Sequence, residues 1–411
     1  MATYGILVGG GPAPGINGVI GAAALTAARS GARVLGLLDG FKWLMEGDAA
    51  HARELHPEEV SRIHLQGGSI LHTSRANPTR KPEHLAKVVA SLDRLGVDRL
   101  VTIGGDDTAF SAKRTADTAA GRIQVVHVPK TIDNDLPLPG DIPTFGFETA
   151  REQATHVVEA ILEDTRTTNR WFFVVMMGRK AGHLALGAGK AAGATVTLVG
   201  EEFPEGTIRL DDVVRTLEGS IAKRLAQGRP DGVAVIAEGI AERLDPSELE
   251  VLKDAPRDEH GHVRLAEVPL GRVLRTAVME SFARRGVKLQ IGEKDVGYEL
   301  RCVQPNAFDR DYTRDLGVGA VRTLEAGRSG VLVTRQQGRI VPIAFDELMD
   351  PATGRTRVRM LDVTSDSFVS ARSLQVRVEA SDLSDPARLG PLARAAGLSP
   401  DEARRRYAPL G

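Results

Sequence analysis

The sequence predicts an α/β fold with mainly parallel sheets, on three observations. Short β-branched runs alternate with longer Ala-, Leu- and Arg-rich segments, the pattern of βα units. Apolar residues recur at three- and four-residue spacings in the longer segments, which makes them helices that cover sheets. The chain's 411 residues, at 42% hydrophobic content, can bury a large core split over two domains.

Strands are expected at residues 5–8, 33–38, 100–103, 125–128, 172–176, 195–199 and 233–236, and helices at 18–30, 83–95, 149–165, 181–192, 211–227 and 270–285. The loop 135–144 contains three prolines and leads into a long helix after Gly146, which marks an early domain boundary. A charged loop runs over 254–262. Residues 330–334 and 339–345 read as two strands around Gln336-Gln337-Gly338, and 350–411 as a polar, Arg-rich region taken as a domain extension. No internal repeat or low-complexity tract is present.

Charge narrows the partners. A net charge of −1 supplies no broad basic field, which argues against a nucleic acid or an anionic membrane surface. Any anion site must be local. The single cysteine, Cys302, forms no internal disulfide, no apolar run approaches the roughly 20 residues that cross a bilayer, and the first residues pass straight into a strand. A cytoplasmic protein is expected.

Three glycine- or acid-bearing segments follow strand-like runs, where open α/β sheets bind ligands. The first, Gly9-Gly10-Gly11-Pro12-Ala13-Pro14-Gly15-Ile16-Asn17, offers close backbone approach and a helix N-terminus for phosphate. It lacks the third glycine of a dinucleotide fingerprint, where Pro14 stands, and lacks the Walker Lys-Ser/Thr; a tight strand-to-helix turn explains it equally well. The second, Gly104-Gly105-Asp106-Asp107-Thr108, adds two carboxylates that cap a helix or, at Asp106, hold Mg²⁺ together with phosphate oxygens. The third, about 25 residues on, is Pro129-Lys130-Thr131-Ile132-Asp133-Asn134-Asp135. A carboxylate beside a sugar hydroxyl can take its proton as the oxygen attacks phosphorus, and Lys130 can neutralise the moving group. An Asx-rich turn is the plainer alternative.

This ordered set resembles the phosphofructokinase family over most of the first 320 residues. Gly67-Gly68-Ser69-Ile70-Leu71-His72-Thr73-Ser74-Arg75 is similar to the family loop whose arginine contacts the transferring phosphate, and Met177-Gly178-Arg179-Lys180-Ala181-Gly182-His183 to its sugar-site loop. Arg170 matches an arginine that reaches a neighbouring subunit's sugar phosphate, Glu238 a sugar-hydroxyl contact, and Gly297-Tyr298-Glu299-Leu300-Arg301 the late substrate-binding segment.

The resemblance implies two similar Rossmann-like domains with the active site in the cleft between them: 1–146 plus about 302–349 for the donor and Mg²⁺, and 147–301 plus about 350–411 for the sugar phosphate. It implies Asp133 as general base, with Lys130, Asp135, Arg75 and Arg179 also catalytic. Gly10, Gly11, Gly105, Asp107 and Lys130 would bind the donor, and Asp106 the Mg²⁺. Thr131, Asp133, Arg170, Met177, Gly178, Arg179, Glu238, Tyr298 and Arg301 would bind the substrate. A homodimer or homotetramer is implied through Arg170.

Nucleotide-using members of the family carry glycine where this chain has Asp107 and Lys130, a pair found in the pyrophosphate-dependent branch. A carboxylate about 5 Å from a nucleotide α-phosphate is repelled by roughly 3 kcal/mol at an effective dielectric near 20, a binding loss of about a hundredfold. Pyrophosphate has no α-phosphate or nucleoside to suffer this. The expected reaction is therefore transfer from pyrophosphate to the 1-hydroxyl of fructose 6-phosphate, running in both directions. The acceptor segment departs from the family pattern: Tyr298 is followed by Glu-Leu-Arg301-Cys302-Val303 rather than Gln-Arg-Gly-Gly, and Lys288 and Lys294 stand where an arginine is usual. Another sugar phosphate or a polyol such as inositol, ATP as donor, and a non-catalytic sensor are the alternatives.

Overall fold

The structure, a computed structural model, describes residues 1–245, 247–248, 268–352 and 356–408. The charged loop expected at 254–262 lies outside the described residues. The chain divides into two compact units. The first comprises Met1–Ala150 and Tyr298–Arg359, and the second the described residues between 151 and 297 and from 360 to 408.

In chain order the strands are β1 (Thr3–Val8), β2 (Arg33–Leu37), β3 (Ala52–Glu54), β4 (Arg99–Gly104), β5 (Gln124–Pro129), β6 (Trp171–Met176), β7 (Val196–Leu198), β8 (Gly232–Ala237), β9 (Ile291–Val296), β10 (Val331–Gln336) and β11 (Arg339–Ala344). The main helices are α1 (Ile16–Arg29), α2 (Pro82–Arg94), α3 (Asp106–Ala119), α4 (Phe147–Thr168), α5 (His183–Ala192), α6 (Leu210–Ala226), α7 (Leu270–Arg284), α8 (Ala307–Glu325), α9 (Asp366–Ser373), α10 (Pro386–Ala396) and α11 (Pro400–Arg406).

The first unit is a seven-stranded sheet in the order β11-β10-β5-β4-β1-β2-β3, parallel except at its two edges. Its central strands are apolar on both faces because helices cover both. Ile6, Val8, Val101, Ile103, Val126 and Val128 face α1 and α8, while Leu7, Leu100 and Val125 face α2 and α3. The α1–α8 contact is close enough to require glycine: a Cβ on Gly317 would lie 2.6 Å from the Val19 carbonyl oxygen. The β10–β11 hairpin turns on Gln337 and Gly338, both at positive φ (49° and 75°), the backbone of a tight primed turn. The chain leaves β1 for β2 on one side and later returns to β4 on the other, so the sheet's switch point lies beside the carboxyl end of β1.

The second unit is a four-stranded parallel sheet, β7-β8-β6-β9. Trp171, Phe173, Val175, Ala234 and Ile236 pack with residues of α6 and α7. β9 was not expected from the sequence: it is an edge strand with exposed Lys294 and Asp295, so its apolar pattern is broken. The Arg-rich C-terminal region folds onto this unit. Leu389, Leu392, Ala396, Ala403 and Tyr407 enter its core, and its arginines meet buried acids. Glu218, fully buried, pairs with Arg406 Nε at 2.9 Å and Arg285 Nη2 at 3.1 Å.

Removing one partner of a buried ion pair leaves an uncompensated charge, a loss of about 3 kcal/mol when the pair is dry. Arg406→Ala is therefore expected to lower stability by about 2–3 kcal/mol, the lower figure reflecting the partial exposure of Arg406. Urea unfolding measures it, and an unchanged midpoint would show that Arg406 does not secure α11.

Candidate active site

The three phosphate-type segments of the first unit meet at the carboxyl ends of β1, β4 and β5. Main-chain bonds align them: Gly9 N donates to Ile103 O at 2.8 Å, Lys130 N to Gly104 O at 2.7 Å, and Gly10 N to Ser74 O at 2.9 Å. The last bond attaches the Gly67–Arg75 loop to the glycine turn. Thr73 Oγ1 adds a bond to Gly10 O at 2.6 Å. Thr108 fits beneath two glycines, since a Cβ on Gly104 would lie 2.3 Å from its Cβ and one on Gly9 would lie 2.5 Å from its Oγ1. The sequence reading assigned Asn17, the last residue of the glycine-rich segment, no role of its own. Its buried amide donates to Gln66 O and Gly67 O, both at 3.3 Å, and accepts from Ile70 N at 2.9 Å, so α1 holds the start of the Arg75 loop.

Lys130 lies at the centre of this group. It is 4% exposed, and its Nζ donates to Gly11 O. Burial pushes its pKa down to about 8, and the Arg301 and Arg75 charges act in the same direction. Asp133 and Asp106 oppose the shift. All four groups therefore lie within electrostatic reach of one ammonium. A Cβ on Gly10 would lie 3.5 Å from Nζ, and one on Gly11 would lie 3.4 Å from Arg301 Cζ, so both cations overlie the glycine turn. Arg301, expected at the sugar phosphate, here stands beside the Gly10–Gly11 turn. Its guanidinium also stacks 4.9 Å from the Tyr298 ring, and Tyr298 is 61% exposed.

Asp106 and Asp107 open α3 directly after Gly105, where carboxylates are favoured by the helix dipole. Among the described residues no cluster of three or more His, Cys, Asp or Glu could hold a metal. Mg²⁺ is usually held by one or two carboxylates with phosphate oxygens and water completing its shell, and Asp106 is a carboxylate of that kind at the helix start.

Past Lys130 the chain stays buried: Thr131, Asp133 and Asp135 are each less than 10% exposed. Thr131 Oγ1 accepts from Asp133 N at 3.0 Å, and Thr144 Oγ1 donates to Thr131 O at 2.8 Å. Beneath this loop is another residue the sequence reading passed over, His127 on β5. Its Nδ1 pairs with Thr102 Oγ1 at 2.8 Å and its Nε2 with Gly104 O at 3.1 Å. Nε2 carries the proton, because a carbonyl can only accept.

In the second unit, Met177-Gly178-Arg179, Glu238 and Gly297 follow β6, β8 and β9. Glu238 Oε1 accepts from Gly178 N at 3.0 Å and Arg179 N at 2.8 Å. This carboxylate thus clamps the loop and supports Arg179 in its left-handed conformation (φ 51°). Gly239 must be glycine, as a Cβ there would lie 2.3 Å from Arg179 O. Arg170 is paired within the chain to Asp164 at 2.6 Å and stacks on Phe172.

A sequence profile of the phosphofructokinase family matches residues 3–324. The chain belongs to the phosphofructokinase family. It is 53% identical over 98% of its length to a pyrophosphate–fructose 6-phosphate 1-phosphotransferase of Thermotoga maritima, covering 97% of that protein. It is 50% identical to the Naegleria fowleri protein of the same name, with 98% and 94% of the two chains covered. Its fold matches a phosphofructokinase of Saccharomyces cerevisiae with TM-score 0.67 at 21% identity, over 99% of this chain; it spans about half of that longer chain (48%). The family's phosphotransferases generally use a divalent metal, which accords with the chemistry at Asp106.

His127 yields a pH prediction. Complete burial pushes its pKa down to about 3 from 6.5, so the folded protein holds it neutral while the unfolded chain protonates it below 6.5. Stability should therefore fall on acidification from pH 6.5 towards 3, by about 1.4 kcal/mol per pH unit for this one proton. His127→Gln should flatten the dependence of the urea midpoint on pH in that window, and an unchanged slope would assign the acid sensitivity to other groups.

Proposed function

We propose that this chain transfers a phosphoryl group from pyrophosphate to the 1-hydroxyl of fructose 6-phosphate. The observation that carries the donor assignment is Lys130, whose buried ammonium overlies the Gly10–Gly11 turn, with Asp107 on the adjoining helix start. Both side chains take space that a nucleotide's α-phosphate and ribose would need, and the Asp107 charge opposes a further phosphate. Pyrophosphate needs neither space. The names borne by the T. maritima and N. fowleri relatives support the same reading.

In this reading Asp133 takes the proton of the 1-hydroxyl as its oxygen bonds to the terminal phosphorus, and the phosphorus–oxygen bond to the departing phosphate breaks. Lys130, Arg75 and Arg179 offset charge on the phosphoryl oxygens. Asp135 would orient the base or the metal. Gly10, Gly11 and Gly105 present backbone to the donor. Asp106 would hold Mg²⁺, which when bound neutralises phosphate charge. Thr131, Met177, Gly178, Arg179, Glu238, Tyr298 and Arg301 contact the sugar phosphate. For Glu238, whose Oε1 clamps the loop, this contact falls to its second oxygen. Arg170 would serve a neighbouring subunit of a homodimer or homotetramer, with Asp164 aiming its guanidinium. Because the two phosphoryl donors are of comparable energy, the reaction runs both ways in the cytoplasm.

A donor panel tests this. Turnover with pyrophosphate should exceed that with ATP, and the reverse order would defeat the donor assignment. Asp107→Gly with Lys130→Gly should move the ATP-to-pyrophosphate ratio of kcat/KM toward ATP by up to about a hundredfold, whatever is lost in absolute rate. Asp133→Asn should lower kcat by about 10²–10⁴; full activity would remove the base.

The pH profile supplies a separate check. The Lys130 pKa, pushed down to about 8, belongs to the free enzyme, so kcat/KM for pyrophosphate should decline as pH rises through that value and the cation is lost. A profile that stays level well past pH 8 would mean that Lys130 charge is not used.

A further inference from the structure

We propose that Arg359, which lies beyond the segment matched by the family profile, is a positioning residue for the loop that carries Asp133 and Asp135. The inference rests on the reading of Asp133 as base. Asn134, between the two carboxylates, sits in the left-handed region (φ 58°), a conformation that needs surrounding support. Arg359 supplies it from several directions. Its Nε donates to Asn134 O at 3.0 Å, its Nη2 to Asn134 Oδ1, and its Nη1 to Ile142 O at 3.0 Å. One planar guanidinium thus ties together both ends of the proline-rich loop. Its own main-chain N donates to Asp135 O at 2.7 Å.

The fork geometry matters, because these acceptors lie in several directions and a lysine ammonium cannot reproduce the rigid plane. Burial holds the guanidinium's pKa below its usual value, and the nearby Asp135, Asp141 and Tyr312 oppose that shift. Thr144 completes the support: its N donates to Asn134 Oδ1 at 3.1 Å. Without the guanidinium, Asn134 keeps Thr144 and Asp135 keeps the Arg359 main-chain bond. The loop therefore stays in place but loses the restraint on the peptide joining the two acids. A small misplacement of a reacting group can cost about a hundredfold in rate with little effect on binding.

The test uses the full-length protein with Arg359→Ala and Arg359→Lys, reading kcat, the KM values for pyrophosphate and fructose 6-phosphate, and the thermal midpoint. Arg359→Ala should lower kcat by about ten- to a hundredfold with both KM values within about twofold, and Arg359→Lys should recover only part of the loss. Added guanidinium ion, at concentrations that leave the thermal midpoint unchanged, should raise kcat of the Ala variant but not of the parent. Unaltered kcat in both variants overturns the proposal, as does a loss confined to KM or a full recovery by lysine. If Arg359→Ala folds poorly, the partial loss in Arg359→Lys carries the same decision. Asp133→Asn run alongside separates the two claims. An inactive Asp133→Asn with fully active Arg359 variants sinks the positioning role alone, whereas an active Asp133→Asn removes the base and this inference with it.

Discussion

A buried cation, Lys130, organises the glycine turn of the first unit. Lys130 has almost no solvent to stabilise its charge, and burying an unpaired ammonium is expensive enough that it would ordinarily shed its proton. Here the Gly11 carbonyl and the Asp106 and Asp133 carboxylates offset part of that cost, while Arg301 and Arg75 add to it. The result is a buried positive group beside the glycine turn, the kind of charge that pairs strongly with a phosphate oxyanion. The glycines follow from this geometry. Lys130 and Arg301 reach over the turn because Gly10 and Gly11 present no side chains to block them.

Much of this was legible in the sequence, for a physical reason. Strands buried on both faces are contiguous apolar runs, so β1, β4, β5, β6 and β8 could be read to within a residue or two at each end. β9 could not, because an edge strand bearing Glu293, Lys294 and Asp295 has no such run. α8 was missed too. Its Gly317 and Gly319 lower helix propensity and are there for packing, against α1 and against Ile340 of β11 respectively. At the site, Lys130, Asp133, Asp106 and Asp107 stood out because their chemistry is local to short motifs. Asn17, His127 and Arg359 did not, since each acts on residues far away in sequence and looks ordinary in its own neighbourhood. Arg301 was expected at the sugar phosphate, but its place beside the Gly10–Gly11 turn depends on the path of the chain after Tyr298.

The second unit uses buried charge differently. Arg377 pairs with Glu202 and donates to Thr197 O, and Lys223 meets Asp382 at 2.6 Å. These pairs, with Glu218, fix where the C-terminal helices lie against a largely apolar core. Nonpolar contacts alone would permit several registers, and an ion pair left unmatched in the wrong one is heavily penalised. The Arg-rich composition that read as a polar tail is thus spent partly on orientation, with its apolar residues turned inward.

The pairing of β10 with β5 also bears on how the protein is made. Val331 lies opposite Val126, so about two hundred residues, including most of the second unit, are synthesised before β5 gains its neighbour. At about 5–20 residues per second, that leaves an apolar parallel strand with an open edge for on the order of ten seconds or more. Such an edge is a template for pairing with the wrong chain. The nascent chain is therefore exposed to wrong pairing from the completion of β5 until β10 emerges, a window set by the rate of synthesis and not by the stability of the finished fold.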